Sequence, residues 1–319
     1  MKKKKEISLR TIMIVFIIFL IIGYSNILYG NEIKQENMLA KTKIAFNAYL
    51  DGDSDIYIIN PDGTGLVNVT DDQFNNFLPA WSPDGRKIAY ACRQDDDIYL
   101  INADGSRKRN LTNSPQYESC PDWSPDGSSI VYMAETDQDK EEFNILVINT
   151  DGSNPRQITD NTFINAHPKW SPDGTKIAFV SNRNGPFALF TMNADGSNIK
   201  YLATLTNIET LDIIEALSIS WSPDGAKIAF TSDHQGNFDL FTINVDGTNL
   251  SNITNSANTL EALPSWSPDG GSIGFIALDQ NNRQQLYVMK SDGSDSRKIT
   301  NFPYNSSNPD WSLLLENTF

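Results

Sequence analysis

Apolar and polar positions alternate along the chain in short bursts, and the bursts recur. Ile44-Ala45-Phe46, Ile88-Ala89-Tyr90, Ile130-Val131-Tyr132, Ile177-Ala178-Phe179, Ile228-Ala229-Phe230 and Ile273-Gly274-Phe275 set a mostly small residue between two large ones. A polar loop follows each, and then a second burst: 56–59, 98–101, 145–148, 189–192, 240–243 and 286–289. Such near-continuous apolar runs predict strands covered on both faces. Asp-Gly closes each second burst, at Asp62-Gly63, Asp104-Gly105, Asp151-Gly152, Asp195-Gly196, Asp246-Gly247 and Asp292-Gly293, and predicts a hairpin into a short strand that ends in Thr.

The string Trp-Ser-Pro-Asp-Gly begins at Trp81, Trp123, Trp170, Trp221 and Trp266, and a sixth Trp-Ser pair stands at Trp311 and Ser312. Pro presets φ for the second turn position, Asp suits the third and Gly tolerates a positive φ at the end, so each copy predicts a tight hairpin. Four strands per unit and about 45 residues per unit match the repeat period of a β-propeller. The 271 residues from Thr42 to Ser312 divide into six such units.

The ends complete each other. The first unit opens at Lys43-Ile44 without a Trp strand before it, and the last Trp strand, Pro309 to Ser312, has no successor. The expected fold is therefore all-β, a six-bladed propeller of four-stranded blades whose C-terminal strand joins the N-terminal blade and leaves no free edge. All six tryptophans occupy the same place in the repeat, which predicts inter-blade packing and not a ligand-stacking platform.

Before the propeller, Lys2 to Lys5 and Arg10 precede an unbroken apolar run from Ile12 to Ile22 and then Gly23-Tyr24-Ser25. That is the layout of a secretory signal, with an uncleaved anchor as the alternative if the segment extends through Ile27 to Tyr29. The expected organisation is a signal peptide or anchor over 1–30, a linker over 31–41, the propeller over 42–312 and a tail over 313–319. Net charge is −15, and from residue 31 onward 20 basic residues face 39 acidic ones. Eleven of those acids are turn aspartates. A nucleic-acid partner is disfavoured, since phosphate binding needs clustered Lys and Arg. The two cysteines, Cys92 and Cys120, should face one rim from neighbouring blades, and an exported location would let them pair.

WSPDG, K-I-A-F, D-I-Y-x-I-N-x-D-G and an L-T-N ending together resemble the WD-like repeat of TolB propellers, and the resemblance spans residues 42 to 312. It implies an exported, non-catalytic scaffold in the periplasm or at the cell surface that acts as a monomer and needs no cofactor. Its partner would be an envelope protein or lipoprotein, as with the peptidoglycan-associated lipoprotein that TolB proteins bind. The membrane would be met only through the N-terminal segment. TolB proteins carry a further N-terminal domain, whereas about a dozen residues separate leader and first strand here. The alternative is an enzyme that uses the channel, either a hydrolase with channel carboxylates or a metal-dependent polysaccharide lyase: lyases that degrade pectate fragments use similar propellers, with histidines in the channel.

Candidate sites follow from departures from the repeat. His167 and His234 are the only histidines and should share one face, with Asp233 or Glu215 as further ligands should they hold a metal. Asp51, Asp53, Asp55 and Asp95 to Asp97 form acidic loops that are expected to be solvated hairpin content. From Thr to the next Trp most units count 11 residues, but Thr206 to Trp221 counts 15. The added stretch, Asn207 to Glu215, offers Ile208, Glu209, Leu211, Asp212, Ile213 and Glu215 as a contact surface. Partner contact is thus expected on the loop rim, where the repeat varies, with His167 and His234 beside it.

Overall fold

Each Trp-Ser-Pro-Asp-Gly copy closes a turn with its own side chains. In the first, the Ser82 hydroxyl donates to Asp84 Oδ1 at 2.7 Å, the same oxygen accepts the Arg86 amide at 3.0 Å, and Ser82 Oγ accepts the Lys87 amide at 2.9 Å. The Gly85 amide then reaches Ser82 O at 2.8 Å, with Gly85 at φ 67°. Local chemistry alone therefore fixes the hairpin between the first and second strand of the five blades that carry this turn.

The computed structural model describes residues 42–50, 52–137, 142–160, 162–206, 216–256 and 259–313. Strands β1 (Ile44–Tyr49), β2 (Ser54–Ile59) and β3 (Val67–Asn68) belong to the first blade. The second holds β4 (Asn76–Trp81), β5 (Lys87–Cys92), β6 (Asp97–Asn102) and β7 (Arg109–Asn110). The third holds β8 (Glu118–Trp123), β9 (Ser129–Asp137), β10 (Glu142–Asn149) and β11 (Arg156–Gln157). The fourth holds β12 (Asn165–Trp170), β13 (Lys176–Ser181), β14 (Ala188–Asn193) and β15 (Lys200–Thr204). The fifth holds β16 (Ile219–Trp221), β17 (Lys227–Ser232), β18 (Asp239–Asn244) and β19 (Ser251–Asn252). The sixth holds β20 (Glu261–Trp266), β21 (Ser272–Leu278), β22 (Gln284–Lys290) and β23 (Arg297–Lys298).

The last strand, β24 (Ser306–Trp311), pairs antiparallel with β1 and completes the first blade as its innermost strand. The result is the six-bladed, four-stranded, end-closed propeller that the repeat predicts. Across the seam the Ser312 amide donates to Lys43 O at 2.8 Å, and the Lys43 amide donates to Ser312 Oγ at 2.7 Å.

Each tryptophan packs against the small middle residue of the blade before it. Trp81 clusters with Ala45, Trp123 with Ala89, Trp170 with Val131, Trp221 with Ala178 and Trp266 with Ala229. At the seam Trp311 meets Gly274, where an added Cβ would lie 2.9 Å from Trp311 Nε1. The large residues on either side fill the rest of each inter-blade layer, with Phe46, Tyr90, Tyr132, Phe179 and Phe230 almost wholly buried.

In the acidic loops Asp95 is exposed and Asp53 and Asp96 are half-buried, while Asp51 lies outside the described residues; Asp55 and Asp97 differ from expectation. Asp55 and Asp97 are 3% and 2% exposed, not solvated. Each stands at or near the start of a third blade strand and accepts from the Thr that ends the outer strand: Thr70 Oγ1 to Asp55 at 2.6 Å, Thr112 Oγ1 to Asp97 at 3.1 Å. Asn144 and Gln285 accept from Thr159 and Thr300 in the same way. The aspartates are thus part of the repeat's internal bonding.

Candidate functional site

The six inner strands surround a channel, and the strand sequence decides where the channel narrows. In five of them the third residue before Trp is left-handed: Leu78 (φ 54°), Cys120 (53°), His167 (49°), Leu263 (58°) and Asn308 (52°). Each is followed by proline, at Pro79, Pro121, Pro168, Pro264 and Pro309. The register between first and second strands shifts at this point in all five. Proline has no amide hydrogen to lose, so it suits the unpaired position of a bulge. The sixth strand has Ser218-Ile219 instead, and Ser218 has no positive φ.

These positions form a waist between two chambers. On the turn side a cavity of about 410 Å³ is lined by the six tryptophans and the prolines of the Trp-Ser-Pro turns. On the loop side a cavity of about 430 Å³ is lined by Tyr49, Phe77, Arg93, Tyr117, Glu118 and Phe143, among others. Leu78, Cys120, His167 and Asn308 belong to both.

At the waist Cys120 Sγ lies 3.4 Å from His167 Nδ1. Burial alone would push the Cys120 thiol up, but the neighbouring His167 charge and hydrogen bond, with Lys169 further off, bring it below the ordinary thiol value. One step toward the turns, Lys169 Nζ lies 3.1 Å from Asp122 Oδ1. Asp122 Oδ2 accepts the Trp170 amide and Asp310 Oδ2 the Trp81 amide, both at 2.8 Å. Burial raises Asp310 to about 6, partly offset by Lys169, and the two carboxylates hold Lys169 charged despite its own burial.

On the loop side the Arg93 guanidinium stands 5.0 Å over the Tyr117 ring and 5.6 Å over Phe77, and Tyr117 meets Phe143 edge-on at 6.2 Å. Beside them Glu118 is 2% exposed. Its Oε1 accepts from Ser114 Oγ at 2.8 Å, and Oε2 has no hydrogen-bond partner among the described residues. Burial pushes Glu118 up to about 7, which the hydroxyls of Thr112 and Ser114 only partly oppose.

Several sequence expectations land elsewhere. His234 is exposed in the turn after β17, in an outer groove with Tyr201 and Leu250, so it does not join His167. Cys92 and Cys120 line the same loop-side chamber as free thiols, because the bulge turns Cys120 into the channel toward His167. Ile208, Glu209, Leu211, Asp212, Ile213 and Glu215 lie outside the described residues. Part of the extra length before them extends β15, which spans five residues where the other outer strands span two. Among the described residues no three His, Cys, Asp or Glu side chains group as cation ligands, and no helix is long and apolar enough to cross a membrane. The loop-side chamber and the Cys120–His167 contact are not foreseen from the repeat. The signal available was the pair of residues that flank the inner-strand proline, which vary among the blades while Pro and the following Trp-Ser recur.

The model of the family described as TolB beta propeller domain matches residues 39–140, 133–216 and 215–315. No curated protein matches the sequence. Among solved structures, TolB from Acinetobacter baumannii is similar at a TM-score of 0.72 and 22% identity, over 86% of this chain and 67% of that one. A chain of a nidogen/laminin complex gives 0.65 and 12%, over 85% and 98%. Oligogalacturonate lyase from Vibrio parahaemolyticus gives 0.53 and 16%, over 80% and 73%. At these identities the likenesses concern the fold.

Proposed function

The chain belongs to the TolB beta-propeller family, and from that premise we propose that it is an exported, non-catalytic binding scaffold of the cell envelope. Its partner is an envelope protein or lipoprotein, and it docks on the loop-side mouth of the channel. The observation that carries this reading is the Arg93 guanidinium held over Tyr117 and Phe77 at a mouth built from non-repeating residues. Arg and Tyr are the side chains that most often anchor protein interfaces, because each combines a large apolar surface with a polar end. Support also comes from the leader-like N-terminus and from a likeness to TolB that extends over most of the chain. The acidic balance of the exported part makes a basic partner surface the natural complement, with association weakened by salt.

The test is retention of partners from envelope extract by three forms of the protein. The unaltered chain and a form with Asp151→Lys and Asp246→Lys on the turn rim should retain the same partner. Arg93→Ala with Tyr117→Ala should lose it while remaining folded. The opposite pattern would place the docking face on the turn rim.

A further inference from the structure

The waist of the channel carries a nucleophile that docking does not use. Cys120 and His167 stand on neighbouring inner strands, β8 and β12, at the same repeat position, and both are 7% exposed. Their separation of 3.4 Å lets the thiol proton pass to the imidazole without movement of either strand. Both groups border both chambers, so a small molecule reaches them from the loop side.

Two further observations concern what could arrive. Arg93 has half of its side chain exposed, lies against two aromatic rings and meets Asp96 only at 3.9 Å, so the guanidinium offers a seat for an anionic group attached to an apolar body. Glu118, almost fully buried, lines the same chamber with Oε2 unpartnered among the described residues, which leaves one polar position for a ligand to fill. A chamber of about 430 Å³ suits a molecule of drug or dipeptide size.

We propose that Cys120, paired with His167, captures small anionic disulfides as a mixed disulfide at the waist. The Cys120 thiolate attacks one sulfur of the ligand, a new S–S bond forms and the ligand's own S–S bond breaks. The departing thiolate takes the proton that His167 received from Cys120. The ligand disulfide is the oxidant, and its released half is the reduced product. Acyl transfer fits less well, because it needs amide donors for an oxyanion and the residue after the nucleophile, Pro121, has none. Among the described residues the groups facing the pair are Lys169, Asp122 and Asp310 on the turn side, and Glu118, Cys92, Arg93, Asp96, Tyr49 and Tyr117 on the loop side. Capture goes beyond the docking reading, since it involves a small molecule, one equivalent per chain and no protein partner.

The experiment uses the reduced full chain and two probes, the dianionic aromatic disulfide dithionitrobenzoate and the neutral dithiodipyridine, with thiol release followed in time. One thiol should react rapidly and be lost in Cys120→Ser, while Cys92 reacts slowly. The wild-type rate should rise with a midpoint below that of an ordinary thiol, a readout that needs no substitution. His167→Asn, which places at 167 the residue found at 308, keeps a side chain suited to positive φ. It should slow both probes roughly tenfold at neutral pH and converge with wild type at alkaline pH. Arg93→Gln should slow the dianionic probe several-fold and leave the neutral one unchanged. The nucleophile is overturned if Cys120 reacts no faster than Cys92, if the wild-type midpoint is that of an ordinary thiol, or if folded His167→Asn keeps the wild-type profile. Equal slowing of both probes by Arg93→Gln would overturn the anionic ligand class.

Discussion

The two halves of the channel are built on opposite principles. On the turn side five hydroxyl-to-aspartate contacts, Ser82 to Asp84, Ser124 to Asp126, Ser171 to Asp173, Ser222 to Asp224 and Ser267 to Asp269, repeat within 2.5 to 2.7 Å. On the loop side, about 430 Å³ of space is bordered by Tyr49, Arg93 and Tyr117, none of which recurs in register, and by Glu118, which recurs only at Glu261. Repetition secures the ring, because every blade must bury the same inter-blade face. A ligand or partner presents one surface, so recognition has to come from the positions where the repeat is broken.

The largest effect should come from removing a member of the repeated set. Deleting residues 306–319 takes away β24, unpairs β1 and removes Trp311 from the seam, so we expect aggregation or loss of the cooperative melt. Trp311→Ala alone should cost about 3–5 kcal/mol. On the loop side Arg93→Ala should cost under about 1 kcal/mol, and parity between the two in denaturant titrations would erase the contrast.

A smaller test uses the one seam position where the repeat has its smallest side chain. Gly274→Ala restores the residue found at 45, 89, 178 and 229, yet its Cβ would stand 2.9 Å from a rigid indole nitrogen. The expected loss is about 1–3 kcal/mol, seen as a melting temperature several degrees lower. An unchanged melting temperature would mean that the seam adjusts as freely as a surface.

The smallest effect sets the hydrogen-bonded turn aspartates against the buried carboxylates, Glu118 on the loop side and Asp310 on the turn side. Asp126, Asp173 and Asp224 are held below the usual value, mainly by the hydroxyls of Ser124, Ser171 and Ser222. Their contribution is present above an unfolded value of 3.8 and is lost as pH falls through the folded one. Glu118 has the opposite sign. Burial raises it from 4.5 to about 7, so the folded state holds a proton that the unfolded state releases, and stability falls as pH rises across that window. Stability should therefore peak near about pH 4–5. Glu118→Gln should gain on the order of 1–3 kcal/mol at alkaline pH and flatten the descent, measured by denaturant titration across pH.

Six blades and their turns were legible in the sequence because each depends on residues close together in a unit that recurs. Ser, Asp and Gly of one turn bond one another within five residues. Ring closure followed from counting half-blades at the two ends. The buried aspartates were misjudged for a related reason, since Asp55 and Thr70 are 15 residues apart and their bond depends on strand register. Cys120 and His167 are 47 residues apart and meet only because two bulges turn both side chains into the channel from adjacent blades. Arg93, just past the end of β5, and Glu118, at the start of β8, border the chamber because strand ends of adjacent blades meet there, and His234 does not, although sequence order offered it equally. Repetition specifies a frame by local bonding, but which exceptions to the repeat face one another is decided by side-chain direction at the channel wall, and that exists only once the ring has closed.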